Sequence, residues 1–238
     1  MRLAFISDFH GNATALEAVL NDIKQRDVDQ IYVLGDICYR GPEPQTSLDK
    51  VRSLNVDVIK GNADEWVVRG IREGEVPESV HSIMNKERDW TVSRLDNESI
   101  EYLENLPTEL NLEFNKKKIH AFHATPNSLF DIVRPDESEG VLTEKLMVNE
   151  ADIFIYGHIH KPYVRFIDGK CIINTGSVGL PFDGLNKSSY AIVDIEGDNV
   201  EASIVRTSYD VNKVVKLFKD SDYPNKELMT HLIRKSSV

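Results

Sequence analysis

The chain has 238 residues, 41% of them hydrophobic and 28% charged, enough apolar matter for one sizeable α/β core and too much for a disordered chain. A formal net charge of −11, from 28 Lys and Arg against 39 Asp and Glu, excludes the basic footprint that duplex nucleic acid demands. No apolar run approaches a membrane span, the N-terminus lacks a signal-peptide pattern, and the two cysteines, Cys38 and Cys171, build no disulfide framework, so a cytoplasmic location is expected.

Residues 3–7 are a short apolar run closed by turn chemistry and read as a buried strand. From Ala13 onward, Leu16, Val19, Leu20 and Ile23 recur at helical spacing behind Asn12, a side chain suited to the N-cap. Strands are expected at 31–34 and 56–59, closed by Gly35-Asp36 and Gly61-Asn62, with a helix near 46–54 after Pro42 and Pro44. The opening third is thus β-α-β-α-β, the pattern of a parallel sheet with helical crossovers. From about 64 to 106 the pattern is helical and holds Trp66, Trp90 and Tyr102. Residues 110–114 and 119–122 suit a hairpin about Asn115-Lys116-Lys117, followed by a polar loop at 126–140 and a helix near 142–149. The strand expected at 153–156 ends at Gly157, and β-like runs recur at 163–167, 171–174, 190–195 and 200–205, with tight turns at Gly169 and Gly197-Asp198. The tail from Val211 is helical and polar. No repeat, low-complexity stretch or linker divides the chain, so residues 1–238 are expected to form one domain with a helical insert and C-terminal helices.

Five short motifs stand where predicted strands end: Asp8-Phe9-His10, Gly35-Asp36, Gly61-Asn62-Ala63-Asp64, Phe122-His123 and Gly157-His158-Ile159-His160. Strand C-termini of a parallel sheet converge on one crevice, so ligands scattered along the chain can meet there. Four imidazoles, two carboxylates and a carboxamide suit ions of the Mn, Fe or Zn kind, and cysteine-rich structural zinc spacing is absent.

In this order, D-x-H, G-D, G-N-x-D, H and G-H-x-H resemble the calcineurin-like metallophosphoesterase superfamily. Asn174-Thr175-Gly176-Ser177-Val178-Gly179 and Tyr209-Asp210-Val211 look like its small prokaryotic phosphodiesterase branch. The resemblance implies a four-layer αββα sandwich with two mixed β-sheets. It also implies two divalent or trivalent metal ions, Mn²⁺ or an Fe/Mn pair first, with Ni²⁺, Zn²⁺ and Mg²⁺ as the other candidates. By that resemblance Asp8, His10 and His160 would hold the first ion, Asn62, His123 and His158 the second, and Asp36 would bridge them. Hydroxide between the ions would attack phosphorus in line.

Two departures matter. Many members carry His after the Gly-Asn pair, where this chain has Ala63, which cannot protonate a leaving group. General-acid help is worth roughly 10²–10⁴-fold, so phosphodiesters and nucleotide polyphosphates, with acidic leaving groups, are the better substrates. Arg40 in Gly35-Asp36-Ile37-Cys38-Tyr39-Arg40-Gly41 resembles the phosphate-gripping Arg of protein Ser/Thr phosphatases and dinucleoside tetraphosphate hydrolases, though Tyr39 replaces their Asp. Diadenosine polyphosphates become the specific candidate.

Each residue also has a plainer reading. Asp8 and Asp36 suit turns, Asn62 suits an N-cap, His123 suits a core, and Arg40 stands evenly between a surface ion pair and a phosphate contact. Asp64 reads as a cap rather than a ligand, and Cys38, Trp66, Trp90, Tyr39 and Phe182 as packing groups. The expected activity is hydrolysis of a small phosphate ester or nucleotide, without duplex nucleic acid or membrane. The alternatives are a protein Ser/Thr phosphatase and a non-catalytic scaffold of the same fold, as in one retromer subunit.

Overall fold

The computed structural model describes residues 1–237. In chain order these form β1 (Arg2–Ile6), α1 (Ala13–Ile23), β2 (Gln30–Val33), α2 (Pro44–Ser53), β3 (Asp57–Val58), α3 (Asn62–Arg69), α4 (Glu78–Val92), α5 (Asn97–Glu104), β4 (Glu109–Phe114) and β5 (Lys117–Phe122). There follow α6 (Glu139–Leu146), β6 (Ile153–Tyr156), β7 (Tyr163–Ile167), β8 (Lys170–Asn174), β9 (Ser188–Glu196), β10 (Asn199–Thr207), α7 (Val211–Asp220) and α8 (Lys226–Lys235).

The strands make two five-stranded mixed sheets, ordered β10-β9-β1-β2-β3 and β4-β5-β6-β8-β7. In the first, β1, β2 and β3 run parallel, as the opening pattern predicts, while β9 joins β1 antiparallel. In the second, β5, β6 and β8 run parallel between antiparallel edge strands. Because strand side chains alternate, each run feeds two cores. Leu3 and Phe5 of β1 pack between the sheets with Ile153 and Ile155 of β6 and Ile173 of β8. Ala4 and Ile6 face Leu16 and Val19 of α1 and Leu48 of α2. On the far side, Phe122, Phe154 and Ile172 pack on Leu142 and Leu146 of α6, completing the four-layer αββα sandwich. Among the described residues, no helix is long and apolar enough to cross a membrane.

Boundaries differ from expectation in places with evident causes. Strand β3 keeps only two residues: Ile59 N still bonds to Val33 O of β2, but Lys60 N turns away to Pro107 O. Helix α6 begins earlier, at Glu139, where Ser138 accepts the Val141 N–H as N-cap. The hairpin loop is two residues, Asn115 and Lys116, both at positive φ as a type I′ turn requires. The tail helices are polar on one face only. Val214, Val215 and Phe218 of α7 and Met229, Leu232 and Ile233 of α8 bury against Leu180.

The insert is tied to the sandwich by Arg88 of α4, whose guanidinium donates to the carbonyls of Trp66, Val67 and Val68 at the end of α3. Charged donors satisfy otherwise unpaired terminal carbonyls. Arg88→Ala is expected to lower stability by about 1.5–3 kcal/mol. In urea unfolding this appears as a lower midpoint at unchanged slope; an unmoved midpoint contradicts it.

Candidate metal centre

The loops leaving β1, β2, β3, β5 and β6 meet at one end of the sandwich, and each carries one of the five motifs. They are zipped by backbone bonds from Asp8 N to Gly35 O, His10 N to Asp36 O, and Gly157 N to His123 O. Side chains of the Asn174–Ser177 turn, numbered 174–177, finish the zip. Asn174 donates to Gly157 O, and buried Ser177 donates to Asp8 O rather than standing free as a nucleophile.

Close approach explains two glycines. A Cβ at Gly61 would run into the Asp36 carboxylate, and one at Gly157 into that of Asp8. The candidate ligands themselves are bent. Asp8, His10, Asp36, His158 and His160 all adopt left-handed φ, from 48° to 67°, and Arg40 does so at 73°. Such conformations cost of order 1–3 kcal/mol each and persist where surrounding structure imposes them, commonly at functional sites.

Two donor groups result. Asp8, His10, Asp36 and His160 are buried and offer atoms within 4.8 Å of one another. Beside them, Asn62 Oδ1 lies 3.0 Å from His123 Nε2 and 2.8 Å from His158 Nδ1. Asp36 Oδ2 stands between the groups, 3.6 Å from His10 Nε2 and 3.4 Å from His123 Nε2. All seven sequence-predicted ligands are therefore together. Asn62 is the first residue of α3 and Gly61 its N-cap, so the Asn62 side chain is not spent on capping.

The histidine tautomers follow from their partners. Nδ1 of His10 faces Tyr39 O at 2.9 Å, that of His123 faces Leu34 O at 2.7 Å, and that of His160 faces Leu180 O at 2.6 Å. A carbonyl only accepts, so each Nδ1 carries the proton, and each ring in its neutral form presents an Nε2 lone pair inward, the usual arrangement around a metal. Nε2 of His10 and of His160 then face each other at 3.0 Å, and buried Asp8 Oδ1 lacks a hydrogen-bond partner among the described residues. Facing lone pairs and an orphaned carboxylate oxygen repel unless a cation lies among them. The residues present fit a divalent metal.

The electrostatics agree. Burial, reinforced by His160, pushes His10 down to about 4, and burial with His123 pushes His158 down to about 4. Burial also pulls on His123, but the charges of Asp36 and Asp8 outweigh it and push that imidazole up to about 10. Despite burial, Asp36 is held far below the carboxylate range, mainly by His123, and Asp8 is held low by His160.

Sequence reading missed the supporting carbonyls of Tyr39, Leu34 and Leu180, which any residue type supplies. Asp64 is a clamp, as its capping role anticipates: it accepts from Asp36 N and Ile37 N at 2.8 Å and from Gly61 N at 2.9 Å. Arg40 pairs with a buried carboxylate, Glu87 Oε2, at 3.3 Å, not with a surface one. Tyr39 is buried in the core and donates to Met84 O, so the residue that replaces the phosphatase Asp turns away from the site. His81, His120 and His231 take no part; His120 is a core histidine bonded to Glu109.

A sandwich of two mixed sheets with a buried Asp/His cluster at the shared loop end is the architecture of a metal-binding protein. The model of the calcineurin-like phosphoesterase superfamily domain matches residues 1–198. An uncharacterized protein of Methanocaldococcus jannaschii is 34% identical over 228 residues, covering 89% of each chain. Phosphodiesterase YfcE of Escherichia coli is 24% identical over 197 residues, 82% of this chain and 88% of that one. The crystal structure of a metallophosphoesterase from Sphaerobacter thermophilus matches with a TM-score of 0.78 at 26% identity, covering 99% of both chains. The chain belongs to the calcineurin-like phosphoesterase superfamily and is a metallophosphoesterase, a hydrolase whose buried Asp/His cluster implies divalent metal ions.

Proposed function

We propose that this single-domain, cytoplasmic enzyme hydrolyses phosphodiesters or nucleotide polyphosphates with two metal ions, Mn²⁺ or an Fe/Mn pair. Asp8, His10 and His160 would hold one ion and Asn62, His123 and His158 the other, with Asp36 between the two donor groups. The reading rests on one observation, the position of Asp36 Oδ2 between His10 Nε2 at 3.6 Å and His123 Nε2 at 3.4 Å. Bound ions supply an activated water and neutralise phosphoryl charge.

The chain's own residues divide the rest of the work. The carbonyl-bonded histidines keep their lone pairs aimed inward, so little reorganisation is needed on loading. Asp36 Oδ1 is braced by the Ala63 N–H at 2.8 Å, at the start of α3, leaving Oδ2 for the ions. Arg40 contacts the substrate phosphate through its guanidinium. Ala63 donates no proton, which favours leaving groups that depart as anions. The likeness to Phosphodiesterase YfcE supports diesters. The partial Arg40 signature supports diadenosine polyphosphates.

With Mn²⁺ added, bis-p-nitrophenyl phosphate is expected to turn over at least about tenfold faster than a Ser/Thr phosphopeptide, given the missing acid. Diadenosine tetraphosphate is assayed in parallel by resolving its products. Preference for the phosphopeptide would overturn the diesterase reading. Inertness toward diadenosine tetraphosphate beside robust diester cleavage would remove the nucleotide candidate.

A further inference from the structure

Glu87 lies on α4, in the helical insert, and is fully buried. An ionised carboxylate in such a place is costly unless partners compensate it. Its Oε1 accepts from Asn225 Nδ2 at 2.9 Å, and Asn225 stands at the start of α8. Its Oε2 lies 3.4 Å from Tyr39 Oη and 3.3 Å from Arg40 Nε. The C-terminal helices, beyond the residues that the family model matches, thus reach the Arg40 loop through this one carboxylate. A second tie holds α4 in place, from Trp90 and Arg94 to Asp222 between α7 and α8.

Arg40 is constrained from two sides. Its backbone is left-handed at φ 73°, next to the Tyr39 carbonyl that takes the His10 Nδ1 proton. Its Nε faces Glu87 Oε2 at 3.3 Å, an ion-pair distance without hydrogen-bond geometry, with no other acidic group within ion-pair distance among the described residues, and the side chain remains 22% exposed. A carboxylate facing Nε leaves the two Nη groups for bidentate contact with phosphoryl oxygens. We infer that Glu87 is a positioning residue for the hydrolysis. Anchored by Asn225, it holds Arg40 next to Tyr39, whose carbonyl accepts from His10 Nδ1, and couples the α4 insert and the C-terminal helices to substrate binding. This rests on the assignment of Arg40 to the substrate phosphate.

The test is a double-mutant cycle of Glu87→Gln and Arg40→Ala, assayed on bis-p-nitrophenyl phosphate at saturating Mn²⁺, with metal content and thermal midpoint recorded for each variant. Glu87→Gln keeps the volume and removes the charge. Arg40→Ala is expected to lower kcat/KM about 100-fold and Glu87→Gln about tenfold, largely through KM, with metal content unchanged. In the Arg40→Ala background, Glu87→Gln should change kcat/KM by less than about twofold, because the two act as one unit. A merely structural Glu87 would lower activity by the same factor in both backgrounds, and that overturns the inference. So does an active wild type indifferent to Glu87→Gln or to Arg40→Ala. A wild type inert with every divalent ion overturns the proposed function itself, and the inference with it.

Discussion

Asp36→Asn is expected to lower kcat/KM by about a thousandfold, equivalent to about 4 kcal/mol of transition-state stabilisation. Asp36 Oδ1 is braced by the Ala63 N–H, and Oδ2 lies between the two donor groups. A carboxamide preserves the size and one acceptor but removes the anionic charge, and its NH₂ repels a cation. The same charge raises the His123 imidazole, Asp36 being the strongest influence in that direction. The variant's His123 should therefore titrate lower in the metal-free protein, an effect visible by NMR of the imidazole. Kinetics and bound metal are measured together. A variant that keeps a tenth of wild-type activity would remove Asp36 from the centre of the reaction.

The second large effect is on architecture. Asp64→Ala is expected to destabilise the protein by about 3–5 kcal/mol and to empty the metal site. The Asp64 side chain is wholly buried, and its two oxygens satisfy the amides of Asp36, Ile37 and Gly61. These amides belong to two different loops, those that deliver Asp36 and Asn62. Alanine leaves three buried N–H groups without a partner and lets the loops part. Urea unfolding is compared in excess EDTA, so that lost metal binding does not add to the difference. Asp64→Asn, which retains one acceptor oxygen, should fall between. An Asp64→Ala protein within about 1 kcal/mol of wild type would show that the loops are held by other means.

The candidate ligands were legible in the sequence because each follows an apolar run and because parallel strands share the direction of their C-terminal ends. Asp8, Asp36 and Asn62 could be placed at one edge from the β-α-β-α-β opening alone. For His123, His158 and His160 that argument was incomplete. Their strands lie in the second sheet, and local pattern does not say that β5, β6 and β8 align in parallel or that this sheet stacks on the first. The family resemblance supplied that stacking; the inter-sheet core of Leu3, Phe5, Ile153 and Ile173 accounts for it physically.

What the sequence by itself determined was the set of strands, the order of the motifs and the chemistry of their side chains, since these follow from local periodicity and residue type. Only the tertiary structure decided the left-handed backbone at Asp8, His10, Asp36, His158 and His160, because that bend is imposed by loops bonded to one another across the fold. The same holds for the histidine tautomers, set by carbonyls of Tyr39, Leu34 and Leu180 that leave no trace in residue identity. It holds also for Glu87, an unremarked position in a helical stretch. It gains meaning only where α4, the Arg40 loop and the C-terminal helices converge, far apart in sequence and joined around one buried charge.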